Sequence, residues 1–431
     1  MRRRPRRPVL SHDVSSPRSH WRAQPPHRKG TLPVKALLLE NVHPLGESLL
    51  RDAGFEVETR VGALDEDELI EALEGVQLLG IRSKTEVTAR VLENAPSLEA
   101  IGAFCIGTNQ IDLAVAAQKG VVVFNAPFSN TRSVVELAIA EIIIMARRLT
   151  EKDRALHDGV WFKDAKGSHE VRGRRLGIVG YGNIGSQLSV VAEMLGFKVY
   201  FYDTDDKLAL GNATRCSSLE ELLSVAEVVT LHVDGRSGNA GFFGAEQFAA
   251  MRPRALFLNL SRGFVVDYDA LKTHLESGHI AGAAVDVFPE EPKSKGEPFN
   301  SPLQGLANVV LTPHIGGSTE EAQEDIGRFV AAKLRDYIQR GSTTLNVNLP
   351  SLNLPERPGQ HRLIHFHQNL PGVLARMNGI LAEHGVNIEG QMLDTSAESG
   401  YVVTDVVSQL PEALLDQLRS MPETIRLRVV N

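Results

Sequence analysis

The sequence predicts an α/β protein with two doubly wound domains, the first of them discontinuous, and a smaller C-terminal domain of the order βαββαβ. Three observations support this prediction. At 431 residues the chain is two to three times as long as a typical domain. From Val34 onward, short apolar strands alternate with helices, as in a parallel sheet covered by helices. After Gly341 this rhythm gives way to a polar, proline-containing stretch and a second pattern of strands and helices.

The predicted domain boundaries follow these changes of pattern along the chain. They are a disordered basic extension at 1–30, a first domain at 31–129 joined by 317–343, a second domain at 130–316, a linker at 344–357 and a third domain at 358–431.

The first domain is predicted from short apolar strands and the helices between them. The strands are 34–39, 55–59, 77–81, 98–103 and 121–124, and the helices are 45–53 and 64–73. A longer helix at 133–148 follows and is nearly all apolar. Because a helix that is apolar all round must be buried between larger bodies, we expect it to cross from the first domain to the second.

A glycine-rich turn is the most informative stretch of the second domain. A strand leads into Gly180-Tyr-Gly182-Asn-Ile-Gly185, which is followed by a helix and by a strand ending at Asp203. Gly180 allows a tight turn, Gly182 lets the backbone approach a pyrophosphate, and Gly185 lets the helix pack closely on the strand. The Asp203 carboxylate suits a ribose 2′-hydroxyl and repels a 2′-phosphate. This pattern predicts a Rossmann-like domain that binds NAD rather than NADP, the alternative being a glycine turn that merely packs.

Three later strands each run into a residue of chemical interest. The strands are 255–260, 281–288 and 309–312, and the residues that follow them are Arg262, Glu291 and His314. The carboxyl ends of parallel strands lie on one edge of a sheet, where ligands bind. Taken singly, each residue is better explained without a function: Arg262 as a surface ion pair, Glu291 as a solvated loop charge and His314 as a satisfied loop histidine.

Together, beside a dinucleotide site, the three side chains fit the oxidation of a secondary alcohol. Loss of a hydride from the alcohol carbon requires a base for the hydroxyl proton, and histidine has a pKa near the working pH. A carboxylate such as Glu291 stabilises the imidazolium and fixes the tautomer. Arg262 can bind a substrate carboxylate with two hydrogen bonds and polarise the carbonyl oxygen.

The third domain is predicted from four strands and two helices in the order βαββαβ, which is the ferredoxin-like split motif. The strands are 362–367, 386–393, 401–408 and 425–430, and the helices are 371–384 and 412–421. Pro371 suits the first turn of its helix, and Gly385 suits the position after the helix ends.

Composition excludes several classes of protein. Hydrophobic residues make up 42% and charged residues 23% of the chain, as in ordinary globular proteins. No apolar run reaches the roughly 20 residues of a membrane span, so a membrane protein is not expected. Cys105 and Cys216 cannot form a disulfide framework and lie in no metal-binding spacing. We therefore expect a reduced, cytoplasmic protein without a metal site.

Charge is distributed unevenly along the chain. The first 30 residues contain nine Lys and Arg residues and one acid, so they carry a charge of +8, which leaves −15 for the rest. Nucleic acid and membrane surfaces are poor partners for such an acidic body. The basic segment is compatible with a transit peptide, with a nucleic-acid arm, or with a start site assigned too early, since Met145 is the next methionine.

From about residue 35 to 431 the chain resembles the D-2-hydroxyacid dehydrogenases, in particular those members that end in one ACT domain. The motifs that carry the resemblance are Ala103-Phe-Cys-Ile-Gly-Thr-Asn-Gln110, Phe124-Asn-Ala-Pro-Phe-Ser-Asn-Thr-Arg-Ser133, the turn from Gly180 to Gly185, Gly282-Ala-Ala-Val-Asp-Val-Phe-Pro289 and Thr312-Pro-His-Ile-Gly-Gly-Ser-Thr319. One departure is the loop 233–238, where the family usually has a proline.

The resemblance implies roles for individual residues. It implies an acid/base pair of His314 and Glu291, with Arg262 as the anchor for the substrate and its carbonyl group. The implied NAD contacts are Gly180, Gly182, Asn183, Ile184, Gly185, Asp203, Leu260, Ser261, Arg262, Asp286, His314, Gly316 and Gly317. The implied substrate contacts are Arg82, Ser83, Asn109 and Asn130. Apart from the resemblance, we expect Lys163 to add positive charge for the phosphate.

The resemblance also implies a substrate, an effector and an assembly. The implied reaction is oxidation of 3-phosphoglycerate to 3-phosphohydroxypyruvate, the first step of serine synthesis, with reduction of 2-oxoglutarate as a side activity. The ACT domain implies inhibition by L-serine at His367, Asn369 and Asn387 within a homotetramer, or alternatively a dimerisation module only. The remaining alternatives are an enzyme for glycerate or D-lactate and a NAD-sensing corepressor on the same fold.

Overall fold

The computed structural model of the protein describes residues 33–292, 296–355 and 361–430. The basic extension predicted at 1–30 lies outside the described residues.

Five parallel strands form the first sheet. They are β1 (Lys35–Leu38), β2 (Glu56–Thr59), β3 (Leu78–Ile81), β4 (Ala100–Ala103) and β5 (Val122–Phe124), in the spatial order β2-β1-β3-β4-β5. The helices between them are α1 (Pro44–Asp52), α2 (Glu66–Ala72), α3 (Ala89–Glu93) and α4 (Leu113–Gln118). Asp65, Thr88 and Asp112 begin three of these helices, because their side chains accept hydrogen bonds from N–H groups of the first turn.

Seven parallel strands form the second sheet. They are β6 (Arg175–Val179), β7 (Lys198–Tyr202), β8 (Thr214–Arg215), β9 (Val228–Leu231), β10 (Ala255–Asn259), β11 (Ile280–Val285) and β12 (Val309–Leu311), in the order β12-β11-β10-β9-β6-β7-β8. The helices of this part are α5 (Thr131–Ala146), α6 (Leu149–His157), α7 (Asn183–Met194), α8 (Leu219–Val225), α9 (Ala245–Ala250) and α10 (Tyr268–Glu276). The order reverses between β6 and β9, which is where such a sheet binds a dinucleotide.

The chain crosses between the two sheets at two adjacent places. The first crossing leads into α5, and the second leads into α11 (Glu320–Arg340), which returns to the first sheet and packs against α1 and β4. The hydroxyl groups of Ser133 and Thr319 lie 2.9 Å apart across the two crossings. Helix α5 packs on the second sheet and on α7 with one face, while Glu136 and Ile143 are exposed. The expectation that this helix is buried all round is therefore wrong, because the sheet covers only one of its faces.

The C-terminal part contains a four-stranded antiparallel sheet. Its strands are β13 (His361–Gln368), β14 (Ile388–Thr395), β15 (Ser399–Val406) and β16 (Thr424–Val430), in the order β14-β15-β13-β16, and its helices are α12 (Val373–Glu383) and α13 (Glu412–Arg419). The predicted βαββαβ order is confirmed, and with the two parallel sheets it confirms the predicted fold class. The exact domain boundaries stay predictions.

The C-terminal sheet packs on the first sheet through a shared hydrophobic core. Phe124 and Tyr337 of the first part belong to the same buried cluster as Ile364, Phe366 and Tyr401 of the C-terminal part. The buried guanidinium group of Arg362 pairs with Asp405 at 2.7 Å and also donates to the carbonyl oxygen of Arg340 at 3.0 Å. The segment between the two sheets is held as well, since the side-chain amide of Asn348 bonds the backbone of β5 and of the residue before it.

Candidate active site

The glycine-rich turn lies at the point where the strand order of the second sheet reverses. Gly180 has φ of +90°, and a Cβ there would lie 2.6 Å from the carbonyl oxygen of His232. A Cβ on Gly185 would lie 2.1 Å from the carbonyl oxygen of Gly180, so a larger residue would push α7 off the sheet. At Gly182 a Cβ would meet nothing within 4 Å, and no side chain caps α7 there. The turn therefore leaves room for a pyrophosphate next to Asn183 and Ile184.

Asp203 follows β7 and lies beside this turn. Its carboxylate accepts a hydrogen bond from the N–H of Tyr181 at 2.7 Å and from the N–H of Asp205 at 2.9 Å. The negative charge is thus fixed next to the residue between the first two glycines, as a contact with an adenosine ribose requires.

The segment that carries Arg262 packs tightly against the segment after β11. A Cβ on Gly263 would lie 1.9 Å from the carbonyl carbon of Phe288, so only glycine fits there. The Asn259 side chain fixes the turn, accepting from the N–H and the hydroxyl of Ser261 and donating to the carbonyl oxygen of Arg262 at 3.0 Å. The side chains of Leu260 and Ser261 are buried. The predicted contacts of Leu260 and Ser261 with NAD would therefore be made by their backbone atoms.

Asp286 organises the turn that carries His314. Its carboxylate accepts hydrogen bonds from the Thr312 hydroxyl at 2.6 Å, from the N–H of Ile315 at 2.8 Å and from the N–H of Gly316 at 2.7 Å. A Cβ on Gly316 would lie 2.9 Å from the same carboxylate. His314 sits in this turn with φ of +52°, in the left-handed region. Asp286 is only 1% exposed, so the structure gives it a clear role in holding the turn.

His314 and Glu291 form a hydrogen-bonded pair at the edge of the second sheet. Nδ1 of His314 lies 2.8 Å from Oε2 of Glu291, and the N–H of Phe288 donates to Oε1 of Glu291 at 3.0 Å. The hydrogen bond that Nδ1–H of His314 donates to the Glu291 carboxylate raises the pKa of His314. Burial works to raise the pKa of Glu291, but the His314 and Phe288 hydrogen bonds outweigh it and lower that pKa. The pair can therefore hold a proton on the ring, with Nε2 of His314 left for a substrate.

Arg262 extends from the second sheet towards the first. A Cβ on Gly107, in the loop after β4, would lie 3.8 Å from Nη2 of Arg262. The Cys105 thiol is affected by Arg262 and also by Arg82. Burial raises the pKa of this thiol to about 11, while the positive charges of Arg82 and Arg262 act to lower it. Two positive charges, one from each sheet, thus act on the same thiol.

The structure places most of the predicted substrate residues at this edge. Arg82 and Ser83 follow β3 and Asn109 follows β4, and the Gln110 side chain links the two loops by donating to the carbonyl oxygen of Arg82 at 2.5 Å. Asn130 lies at the first crossing, where its side chain would clash with any Cβ on Gly317 at 2.3 Å. The predicted roles of these residues stay predictions.

Lys163 is the predicted substrate residue that the chain does not bring to this group. It is exposed and lies in the loop after α6, at the far end of α5 from Asn130. The loop is attached there by Arg148, which donates to the carbonyl oxygen of Lys166 at 2.8 Å and stacks on Phe162. Since α5 contains 16 residues, its length of about 24 Å separates Lys163 from the crossing.

Two buried acids at this edge were not found from the sequence. Glu40 follows β1 and binds the loop of Arg82, and Glu141 lies in α5 near Asp286. A buried acid inside an apolar pattern is a signal for such residues, and Glu141 interrupts the apolar run of its helix. Glu40 gave no comparable signal, because its partners are more than 40 residues away.

The predicted effector residues lie at two ends of the C-terminal sheet. The buried His367 and the side chain of Asn369, which donates to the carbonyl oxygen of Ser396 at 2.8 Å, lie at the turn between β14 and β15. Nε2 of His367 is buried and has no hydrogen-bond partner among the described residues. Asn387 precedes β14, whose eight residues put it about 25 Å from that turn. One copy of the chain therefore does not bring the three residues together.

Comparison with known proteins identifies two regions of the chain. Residues 139–316 match the family described as D-isomer specific 2-hydroxyacid dehydrogenase, NAD binding domain. Residues 363–426 match the AHAS small subunit-like ACT domain. The chain is 50% identical to D-3-phosphoglycerate dehydrogenase of Escherichia coli over 400 residues, which cover 92% of this chain and 97% of the relative. It is 45% identical to D-3-phosphoglycerate dehydrogenase of Dictyostelium discoideum over 397 residues, with the same coverage.

Solved structures share the fold of the two parallel sheets. D-lactate dehydrogenase from Aquifex aeolicus, complexed with NAD and lactic acid, superposes with a TM-score of 0.61 at 25% identity, covering 70% of this chain and 95% of that one. A 2-hydroxyacid dehydrogenase from Polaromonas superposes with a TM-score of 0.66 at 27% identity, covering 73% and 100%.

The described residues contain no cluster of three or more side chains that could hold a metal ion. In the same part of the chain, no helix has both the length and the apolar character to cross a membrane.

Proposed function

Because the chain belongs to the D-3-phosphoglycerate dehydrogenase family and is an NAD-dependent oxidoreductase, we propose that it oxidises 3-phospho-D-glycerate to 3-phosphohydroxypyruvate, the first step of L-serine biosynthesis. The observation that carries this proposal is the hydrogen-bonded pair of His314 and Glu291 on the sheet edge that also holds the glycine-rich turn and Arg262.

NAD fits the second sheet on three grounds from the structure. The open space at Gly182 admits a pyrophosphate, and the uncapped start of α7 offers its N–H groups to it. The Asp203 carboxylate can accept hydrogen bonds from the ribose hydroxyls. The side chains of Thr312 and Asp286 support the turn through Gly316 at the nicotinamide end. When bound, NAD accepts the hydride from C2 of the substrate.

The acid/base chemistry falls to His314 and Glu291. Nε2 of His314 takes the proton of the C2 hydroxyl as the alcohol is oxidised, and the Glu291 carboxylate stabilises the resulting imidazolium through Nδ1. The Asp286 charge also contributes to the raised pKa of His314. His314 then releases this proton to solvent before the next turnover, and in the reverse direction it donates a proton to the carbonyl oxygen.

Cations from both sheets suit the two anionic ends of the substrate. Arg262 binds the carboxylate next to C2 and polarises the developing carbonyl group, while Arg82 and Ser83 bind the phosphate from the opposite side. Asn109 and Asn130 complete the contacts from the loop after β4 and from the first crossing. When the two parts of the chain that carry these sheets close around the substrate, water is excluded from the reacting carbon.

The reaction is tested by following NADH formation with different hydroxy acids. We expect turnover with 3-phosphoglycerate and at least a hundredfold lower kcat/KM with glycerate and with D-lactate. Comparable values for glycerate or D-lactate would favour a different 2-hydroxyacid dehydrogenase. NADH binding without turnover of any of the three acids would favour a NAD-sensing corepressor.

We propose a second reaction, the reduction of 2-oxoglutarate to 2-hydroxyglutarate. The observation that favours it is that Arg262 of the second sheet reaches the Gly107 loop, which also contacts the loop of Arg82 through Cys105, so that two cations suit a substrate with an anionic group at each end. NADH oxidation on adding 2-oxoglutarate tests this proposal, and we expect it to fail with pyruvate, which has only one carboxylate.

We propose that L-serine inhibits the enzyme at the C-terminal sheet. His367 and Asn369 lie at one end of β14 and Asn387 at the other, so the site is completed when an antiparallel second copy brings its Asn387 to the first copy's His367. Serine then favours one arrangement of the paired domains, and this arrangement opposes closure of the cleft.

The serine site is tested by point substitution rather than by truncation, because removal of 361–430 would expose the shared core around Tyr337. We expect millimolar L-serine to inhibit the wild type and not Asn369→Ala, while Asn378→Ala on α12 serves as the matched control. Inhibition that persists unchanged in Asn369→Ala would contradict this site.

We propose a homotetramer. The loop after α6 exposes Trp161 at 79% and Val160 at 55%, and the exposed side chains of Leu149 and Leu156 extend this apolar surface. If a second copy covers this surface, the Lys163 of each copy would lie near the cleft of the other copy. This would account for the distance between Lys163 and the other substrate residues of the same chain. Sedimentation of the wild type and of Trp161→Glu tests the assembly.

We infer that the protein works in a reducing compartment, the cytoplasm. Cys105 and Cys216 are free, and burial raises the pKa of each thiol to about 11, so both are weak nucleophiles. Imaging of a fluorescent fusion tests the location.

A further inference from the structure

Glu40 is a buried acid that the proposed mechanism does not use. It follows β1, is 7% exposed, and has φ of +60°, in the left-handed region that non-glycine residues rarely adopt. A carboxylate buried in this way requires partners that compensate for its lost hydration. In the described residues, the hydrogen bonds to its carboxylate all come from a single loop, the one that carries Arg82.

The Glu40 carboxylate binds three backbone N–H groups of that loop. Oε1 accepts from the N–H of Arg82 at 3.2 Å and of Thr85 at 2.8 Å, and Oε2 accepts from the N–H of Lys84 at 3.0 Å. Hydrogen bonds to an ionised acceptor are about twice as strong as neutral ones. The loop is thus wrapped around one side chain.

Arg82 is fixed at its carbonyl oxygen as well as at its N–H. Nε2 of Gln110 donates to this oxygen at 2.5 Å, and Sγ of Cys105 lies 3.4 Å from it. In the described part of the chain, the guanidinium group of Arg82 has no hydrogen-bond or ion-pair partner, in contrast to its backbone. The arrangement therefore fixes the base of the side chain and leaves its charged end for an anion.

The position of Glu40 in the sheet explains why the anion must use that charged end. The order β2-β1-β3-β4-β5 reverses between β1 and β3, and open α/β sheets bind ligands in the crevice at such a reversal. Here the Glu40 carboxylate follows β1 and already holds the backbone N–H groups of the loop after β3 that a phosphate would otherwise use. A substrate phosphate meets the outer side of the loop instead, where Arg82 and Ser83 present their side chains.

We infer that Glu40 is a positioning residue for the phosphate of the substrate: it sets the backbone of Arg82–Thr85 so that Arg82 meets the phosphate, and so contributes to selection of phosphorylated over unphosphorylated substrates. This inference rests on the proposed function. It assigns no chemical step to Glu40, which acts only through the loop.

The direction of the effect distinguishes positioning from simple charge. Glu40→Gln removes a negative charge near Arg82, and charge alone would strengthen binding of an anion. The same substitution replaces one acceptor oxygen by an NH₂ group that faces the N–H of Lys84, so the loop must move. If positioning dominates, the substitution weakens phosphate binding in spite of the lost charge.

The experiment measures KM and kcat for reduction of 3-phosphohydroxypyruvate and of hydroxypyruvate by NADH. For Glu40→Gln we expect KM for the phosphorylated substrate to rise about tenfold, the size of one lost charge-assisted hydrogen bond. We expect kcat, and kcat/KM for hydroxypyruvate, to change less than twofold. Glu56→Gln, an exposed acid on β2, is the matched control and leaves both substrates unchanged. If the glutamine variant does not fold, the same KM and kcat values are measured for Glu40→Asp, which keeps the charge and shortens the side chain.

A double-mutant cycle with Arg82→Ala completes the test. If Glu40 acts through Arg82, Glu40→Gln adds less than twofold to KM once Arg82 is gone. The inference is overturned if KM for 3-phosphohydroxypyruvate falls or stays constant in the single variant, if both substrates lose kcat/KM equally, or if the two effects multiply. A wild type that reduces both substrates equally well would instead overturn the proposed function, and this inference with it.

Discussion

Replacing Glu141 by glutamine tests the cost of a buried carboxyl group in α5. Glu141 is 1% exposed, and the nearby Thr312 hydroxyl, which donates to Asp286 at 2.6 Å, is a neighbour that acts to lower its pKa. Burial, followed by the negative charge of Asp286, raises the pKa of Glu141 from 4.5 to about 8. At neutral pH the group is therefore protonated in the folded protein.

The raised pKa sets both the size and the sign of the effect on stability. A pKa difference of about 3.5 corresponds to about 5 kcal/mol, at 1.36 kcal/mol for each pH unit. Between pH 4.5 and 8 the folded state holds this proton and the unfolded state has lost it, so the free energy of unfolding falls as pH rises. The stability that this bound proton contributes is fully present below pH 4.5 and is lost by pH 8. Above pH 8 the free energy of unfolding no longer changes through Glu141.

Thermal unfolding of the wild type and of Glu141→Gln, from pH 5 to pH 9, measures this contribution. Glutamine has nearly the same shape and does not ionise, so we expect similar Tm values at pH 5. At pH 9 we expect the variant to be more stable by an amount on the order of 5 kcal/mol, or roughly 10 °C in Tm. Glu136→Gln, an exposed acid of the same helix, is the control. A Tm difference between Glu141→Gln and wild type that is the same at pH 5 and pH 9 would refute the reasoning.

The remaining predictions concern catalysis and the choice of cofactor. His314→Ala lowers kcat by roughly 10²- to 10⁴-fold with NADH binding retained, and near wild-type turnover would remove His314 from its role. Glu291→Gln lowers kcat less and moves the acid limb of the pH profile to lower pH, because the carboxylate raises the pKa of His314; an unmoved limb would contradict this coupling. Asp203→Ala narrows the ratio of kcat/KM for NAD over NADP, and equal use of both by the wild type would contradict the role of Asp203.

The sequence predicted the elements whose signal is local. Apolar runs such as that of β10 identify buried strands, and the glycine spacing from Gly180 identifies the turn before α7. Helix α6 was not predicted, since it buries none of its residues and has no apolar face to reveal it. Strand β8 has only two residues, both exposed, which is too short for any periodic pattern.

The site was predictable where topology decides and unpredictable where packing decides. Arg262, Glu291 and His314 follow neighbouring parallel strands, so one edge collects them whatever the loops do. By contrast, the binding of Asp286 to the turn of His314 depends on side-chain orientation within the core. The position of Lys163 depends on a loop without a periodic sequence pattern. For that reason the sequence could not show that Lys163 lies apart from the substrate residues predicted with it.

The core shared by the first sheet and the C-terminal sheet has a mechanical consequence. The Tyr401 hydroxyl donates to the carbonyl oxygen of Gly341 at 2.8 Å, Arg362 reaches the end of α11, and apolar side chains fill the space between. The two sheets are therefore packed together as one body. In the described residues, the chain passes between this body and the second sheet at the two adjacent crossings, where the hydroxyl groups of Ser133 and Thr319 lie 2.9 Å apart. A rotation of this body about the two crossings would open or close the edge at which Arg262 approaches the loop after β4.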